Sequence, residues 1–171
     1  LGDSTTFGWK VGESDAFPDR LQELLNTRAN TGKPWSVLNA GVPGYTSLQL
    51  RWQSEELIRR WKPEVVIVCV GNNEAWPVAR SDRQVDGERR LARRLGPVLS
   101  ASHFLVWAAE RFRSERPQPF IAPVLEKAVP RVSGEEYGEN LRAIVQAARA
   151  AGARVILVSP PVNLYWAPAR F

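Results

Sequence analysis

The 171-residue chain has no methionine, one cysteine and one histidine. A single cysteine cannot form an intramolecular disulfide. Cys69 lies within Val65-Val-Ile-Val-Cys-Val70 and reads as a small buried apolar residue, because nothing near it in sequence would lower its pKa toward a catalytic thiolate. Long hydrophobic runs are also missing. The stretch from Val98 to Ala109 is broken by Ser100, Ser102 and His103, and no uninterrupted apolar run approaches the ~20 residues a membrane helix needs. No membrane span is expected in this stretch. With no methionine and a first residue that reads as the end of a strand, a signal peptide cannot be read and the compartment stays unassigned.

What is present is an ordinary globular balance of 44% hydrophobic and 24% charged residues, in a chain long enough for one core. The net charge of +5 is uneven, with nine arginines against five acids between Val78 and Pro117. Arg89, Arg90, Arg93 and Arg94 fit the solvated face of a helix whose apolar side is Leu91, Leu95 and Val98. That reading is preferred to a nucleic-acid surface, and no nucleic-acid partner is expected. The expected organisation is a single domain over residues 1–171 with an arginine-rich helical insertion at about 78–131.

Apolar runs alternate with helical patterns, the signature of parallel strands joined by crossover helices. The spacing predicts a helix over Pro18–Arg28 with Leu21, Leu24 and Leu25 on one stripe. A short strand is expected at Trp35–Leu38. A helix over Ser47–Trp61 opens with the capping box Thr46-x-x-Gln49 and is stopped by Pro63. Val65–Val70, apolar throughout, predicts a central strand covered on both faces. Ser133-x-x-Glu136 opens a helix running to Gly152, and Arg154–Ser159 is the next strand.

Three turns follow the strand ends: Gly2-Asp3-Ser4, Asn39-Ala-Gly-Val-Pro-Gly44-Tyr-Thr-Ser47 and Gly71-Asn-Asn73-Glu74. In an open parallel sheet such loops gather outside the carboxyl ends of the strands, so residues far apart in sequence converge there. A serine, flexible glycines and an asparagine together suggest acyl transfer. Ser4 would be the nucleophile, and the backbone N–H groups of Ser4 and Gly44 with the Asn73 amide would hold the oxyanion. Tyr45 and Trp76 lie beside these donors and are candidates for lining the substrate pocket. Read alone, Ser4 would serve equally as the cap of the following helix.

These residues resemble the SGNH hydrolases, the GDSL esterase/lipase family. Gly2-Asp3-Ser4 is similar to its nucleophile block, Gly44 in its setting to the glycine block, and Gly-Asn-Asn73-Glu to the asparagine block. Glu74 stands where the third block more often has aspartate. The resemblance implies a three-layer α/β/α sandwich with a parallel, flavodoxin-like sheet and a mainly structural Asp3. It also implies hydrolysis of an acyl, acetyl or thioester on a small molecule or carbohydrate, and no metal or organic cofactor. The family places its catalytic pair in an Asp-x-x-His block near the C-terminus, and no such block occurs in this chain. The expectation is a chain truncated at both ends, with Asp and His beyond Phe171; His103, in Ser102-His103-Phe104-Leu105, reads as a structural imidazole. Two alternatives stay open: a non-catalytic relative that binds an acylated ligand, and a phosphate- or flavin-binding module, against which the lack of Gly-Lys-Ser/Thr argues only for the P-loop type.

Overall fold

The computed structural model describes residues 1–28, 32–87, 90 and 128–161. These form helices α1 (Ser4–Phe7), α2 (Phe17–Arg28), α3 (Ser47–Trp61) and α4 (Gly134–Ala150), with strands β1 (Val65–Val68), β2 (Pro77–Val78), β3 (Val129–Pro130) and β4 (Arg154–Leu157). They divide into two units, residues 1–74 with 133–171, and residues 75–132.

The first unit holds the parallel sheet. β4 pairs with β1 from Val65 opposite Arg154 to Val68 opposite Leu157. Beyond β1, Cys69 bridges Gly2 in parallel, and Gly2 in turn bridges Gly41. The order across the sheet is therefore the segment at Gly41, then Leu1–Gly2, then β1, then β4. All these pairings are parallel, and the order in which successive strands are added reverses between Leu1–Gly2 and β1, which is the switch point where doubly wound sheets bind ligands.

α3 and α4 pack on one another because each buries a stripe spaced by four residues: Leu50, Ser54 and Ile58 on α3, Asn140, Ile144 and Ala148 on α4. Leu50 and Ile144, both fully buried, join Val66, Val68 and Val70 in the core. Burying each such side chain contributes about 1.5–3 kcal/mol. The capping boxes expected at Thr46/Gln49 and Ser133/Glu136 are both present and fix where α3 and α4 begin. α3 ends at Lys62, in the left-handed region at φ +45°, just before Pro63. Trp61, the last residue of α3, is 56% exposed, and the Arg60 guanidinium lies 5.4 Å from its ring centre.

The strand expected over Trp35–Leu38 does not form. Its backbone groups are taken by side chains of α2: Asn26 brackets Trp35, accepting from its N–H at 2.6 Å and donating to its carbonyl at 3.0 Å, and Gln22 accepts from the Val37 N–H at 2.7 Å. The pairing moves a few residues on, where the Val42 N–H donates to the Gly2 carbonyl at 3.0 Å.

The second unit contains a short antiparallel pair, Pro77 opposite Pro130 and Val78 opposite Val129. Asp82 grips Arg131 with both carboxylate oxygens, at 3.1 Å to Nε and 2.9 Å to Nη2, and its N–H donates to the Arg131 carbonyl at 2.8 Å. Residues 82–87 are helical, opened by Ser81 and Gln84, whose side chains each accept from the other's backbone N–H. The helix expected around Leu91, Leu95 and Val98, like His103, lies outside the described residues.

Candidate active site

The first turn is shaped by small residues at close quarters. A Cβ on Gly2 would collide with Thr6 Oγ1 and with the Cys69 carbonyl, and one on Gly41 with the backbone of Thr6 and Phe7. Glycine at both places lets α1 lie directly on the strand ends. Asp3, fully buried, caps α1: its Oδ1 accepts from the Thr5 N–H at 2.9 Å. The cap is therefore Asp3, and Ser4 is the first helical residue. Ser4 is half-buried, and among the described residues its hydroxyl makes no hydrogen bond; its N–H, one of the donors a helix start leaves over, has no acceptor there.

The second turn places Gly44 at φ +79° with open space where a side chain would project, a conformation glycine adopts without strain. The Tyr45 N–H donates to the Val42 carbonyl at 3.2 Å, closing the turn that leads into α3. The third turn brings Asn73 onto this one. Asn73 Nδ2 donates to the Tyr45 carbonyl at 2.8 Å, and Asn72 Nδ2 donates to Thr5 Oγ1 at 3.0 Å.

Two buried carboxylates tie the three turns together. Besides capping α1, Asp3 accepts from the Asn72 N–H at 3.4 Å, joining the first turn to the third. Glu74, 7% exposed, accepts from the Ser47 N–H at 2.7 Å and from the Asn73 N–H at 3.2 Å, joining the third to the second. Behind them, Asn140 of α4 donates to Ser47 Oγ at 3.2 Å, and the Tyr137 hydroxyl donates to the Val70 carbonyl at 2.8 Å. Burial and the neighbouring acids Glu74 and Asp3 push the Tyr137 phenol above its ordinary pKa, so it stays a donor. Burial likewise raises the Cys69 thiol, as an inert structural cysteine requires.

The structure thus brings Ser4, Tyr45 and Asn73 onto turns that are bonded to one another, with Gly44 in the same loop as Tyr45. Trp76 belongs to the second unit, where it is 60% exposed and its carbonyl accepts from the Arg131 N–H at 3.2 Å. Sequence reasoning passed over Glu74 as a structural element and Gly41 altogether. The signal for Glu74 was an acid directly after an asparagine that itself follows a buried strand. Among the described residues no group of three or more His, Cys, Asp or Glu is placed to hold a metal ion, and no helix is long and apolar enough to cross a membrane.

A doubly wound parallel sheet whose loops gather a Gly-Asp-Ser turn, a glycine turn and an asparagine turn defines an α/β protein of the SGNH hydrolase type. The chain belongs to the GDSL-like lipase/acylhydrolase family, whose sequence profile matches residues 1–171. Among solved structures, it is similar to the crystal structure of TesA, with 20% identity and a TM-score of 0.57, over 98% of this chain and 62% of that one. The chain thus spans less than two thirds of the length of TesA. A catalytic mutant of Axe2, an acetylxylan esterase from Geobacillus stearothermophilus, matches at 19% identity over 91% of this chain and 72% of that one, but its TM-score of 0.36 carries no argument. Comparison with curated proteins gives no match.

Proposed function

We propose that this protein hydrolyses carboxylic esters of a small molecule or carbohydrate through an acyl-enzyme on Ser4. The observation that carries the reading is the Asn73 amide, held by the Tyr45 carbonyl on turns locked to the nucleophile turn by Asp3 and Glu74. An asparagine amide has two N–H donors, and the bond to Tyr45 uses one. The other is the donor for the oxyanion in this reading, which assigns the backbone N–H groups of Ser4 and Gly44 as the remaining two donors.

The reaction runs in two halves. Ser4 Oγ attacks the ester carbonyl as a general base takes its proton, and the carbonyl oxygen becomes an oxyanion held by the three donors. Collapse breaks the bond to the alkoxide, which leaves with the proton from the base, and the acyl group stays on Ser4. Water, giving its proton to the same base, then attacks the acyl-enzyme; the bond between the acyl carbon and Ser4 Oγ breaks, the base returns the proton to Ser4 Oγ, and the acid is freed. Among the described residues no side chain is bonded to Ser4 Oγ, so the partner that takes its proton is what a test must locate.

Fluorophosphonate labelling mapped by mass spectrometry does so, on this chain and on the protein at its full natural length. Labelling of Ser4 is expected in the full-length protein and absent from its Ser4→Ala variant, whose melting temperature should stay within about 1 °C because Ser4 is half-buried and its hydroxyl makes no hydrogen bond among the described residues. Label on this chain as well assigns the base to these 171 residues, with His103 the first to be replaced. Label on neither form refutes the acyl-enzyme and favours a ligand-binding protein.

A further inference from the structure

The side chain that the proposed reaction leaves unused is the buried carboxylate of Glu74. Among the described residues no lysine or arginine is paired with it, although only 7% of the residue is exposed. A carboxylate without a counter-ion persists in such a place only when donors surround it. Here the donors are backbone N–H groups of two different turns: Ser47, the first residue of α3, at 2.7 Å to Oε1, and Asn73 at 3.2 Å to Oε2. α3 otherwise satisfies its own start, Gln49 accepting from the Thr46 N–H at 2.7 Å. The Ser47 N–H is therefore left for an acceptor from outside the helix.

The geometry points to Glu74 as a positioning residue: by gripping the Asn73 and Ser47 N–H groups at once, it sets the spacing between the asparagine turn and the glycine turn, and so aims the Asn73 amide. The proposal rests on Asn73 acting as oxyanion donor. The length of the side chain matters. Glu74 folds back onto the N–H of the residue before it while reaching Ser47, and aspartate, one methylene shorter, cannot keep both bonds at these lengths. Glutamine keeps the length but offers an NH2 group where one of the two N–H groups needs an acceptor. Glu74 touches no reacting atom in this scheme, and its effect on rate passes entirely through Asn73.

The test compares Glu74→Gln and Glu74→Asp with the parent, each in the full-length protein with Asn73 and with Asn73→Ala. Ester turnover is expressed per fluorophosphonate-titrated site, which removes any loss of folded protein. A misplacement of about 1 Å can cost ~10²-fold in rate, so kcat is expected to fall about 10- to 100-fold in both variants with KM within about twofold. On the Asn73→Ala background the same substitutions are expected to cost less than about threefold, because the group they aim is gone. Equal losses on both backgrounds, or a kcat per titrated site that is unchanged, overturn the proposal while leaving the esterase reading intact. A parent that neither turns over ester nor takes the label refutes the esterase reading and the proposal with it. Amide hydrogen exchange reads the clamp without any activity. The Asn73 and Ser47 N–H groups are expected to exchange at least about tenfold faster in Glu74→Gln while those of Leu50 and Ile144 hold. Unchanged exchange at Asn73 and Ser47 refutes the clamp itself.

Discussion

Replacing Gly41 by alanine is a severe test of how α1 is seated. A Cβ there would lie against the Phe7 N atom, 2.7 Å from the Thr6 carbonyl carbon and 2.8 Å from Phe7 Cα, all of them backbone. Ordinary carbon contacts begin near 3.5 Å, so α1 would have to retreat by about 0.7 Å or more. It has little freedom to do so. Thr6 is 2% exposed and its hydroxyl donates to the Cys69 carbonyl at 3.3 Å, and Asp3 holds the helix start. Overpacking of this kind costs about 1–3 kcal/mol, and with rigid backbone on the receiving side the upper end applies. For a protein of this size that lowers Tm by about 6–12 °C. Because Ser4 is the first residue of α1, a shift approaching 1 Å also moves the proposed nucleophile, with a loss in ester turnover on the order of 10²-fold. Gly44→Ala is the control. Its positive φ of +79° is strained for alanine, by about 1–2 kcal/mol, yet nothing stands within 4 Å of the new methyl. Differential scanning fluorimetry on the two variants should therefore show the larger loss at Gly41. A Gly41→Ala protein that melts within about 2 °C of the parent, or above Gly44→Ala, would refute the close-packing argument.

Asn73→Ala should lower kcat by about 10²–10³-fold through loss of an oxyanion donor, while removing the Tyr45 bond costs only about 1 kcal/mol of stability in urea titration. Tyr137 gives a pH dependence. Its pKa is raised above the ordinary 10.0 in the folded protein, so above that pH the unfolded chain releases the phenolic proton first and stability falls until the folded form titrates too. Urea midpoints measured between about pH 9 and 11 should show this decline, and Tyr137→Phe should flatten it at a constant cost of about 1 kcal/mol for the lost bond to the Val70 carbonyl. Replacing residues 79–128 by a short turn containing Asn-Gly should leave the first unit folded with near-parental circular dichroism in its α3 and α4 signal, since Val78 and Val129 already face one another. Loss of cooperative melting in that variant would show that the intervening segment is needed for folding.

Most of the sheet and its covering helices were legible because their signals are local. Thr46/Gln49 and Ser133/Glu136 mark helix starts within four residues, Pro63 marks an end, and the β-branched run from Val65 marks a strand, which buries Val66 and Val68 and half-buries Val65 and Ile67. The missed strand at Trp35–Leu38 failed for the opposite reason. Its residues have strand character, but Asn26 and Gln22, nine and fifteen positions earlier, supply the hydrogen bonds a neighbouring strand would have given. The site divides in the same way. Ser4, Gly44 and Asn73 could be picked out as turn residues at strand ends, whereas the grip of Glu74 on Ser47 spans 27 positions and that of Asp3 on Asn72 spans 69. No periodicity reports a carboxylate accepting from a distant backbone N–H. Gly41 was overlooked because a close approach to another segment's backbone leaves no mark beyond the absence of a side chain.

The Asp82–Arg131 clasp and the two-residue pairing above it have a consequence for how such a protein can change. The chain leaves at Val78 and returns at Val129, neighbours across a ladder, so about fifty residues begin and end at one place. Their length and sequence can then be redrawn without altering the distance that the flanking chain must bridge. We propose that the arginine-rich stretch is a cassette attached through this fastening. Variation there can be tried, kept or discarded while the buried carboxylates of the three turns stay where they are.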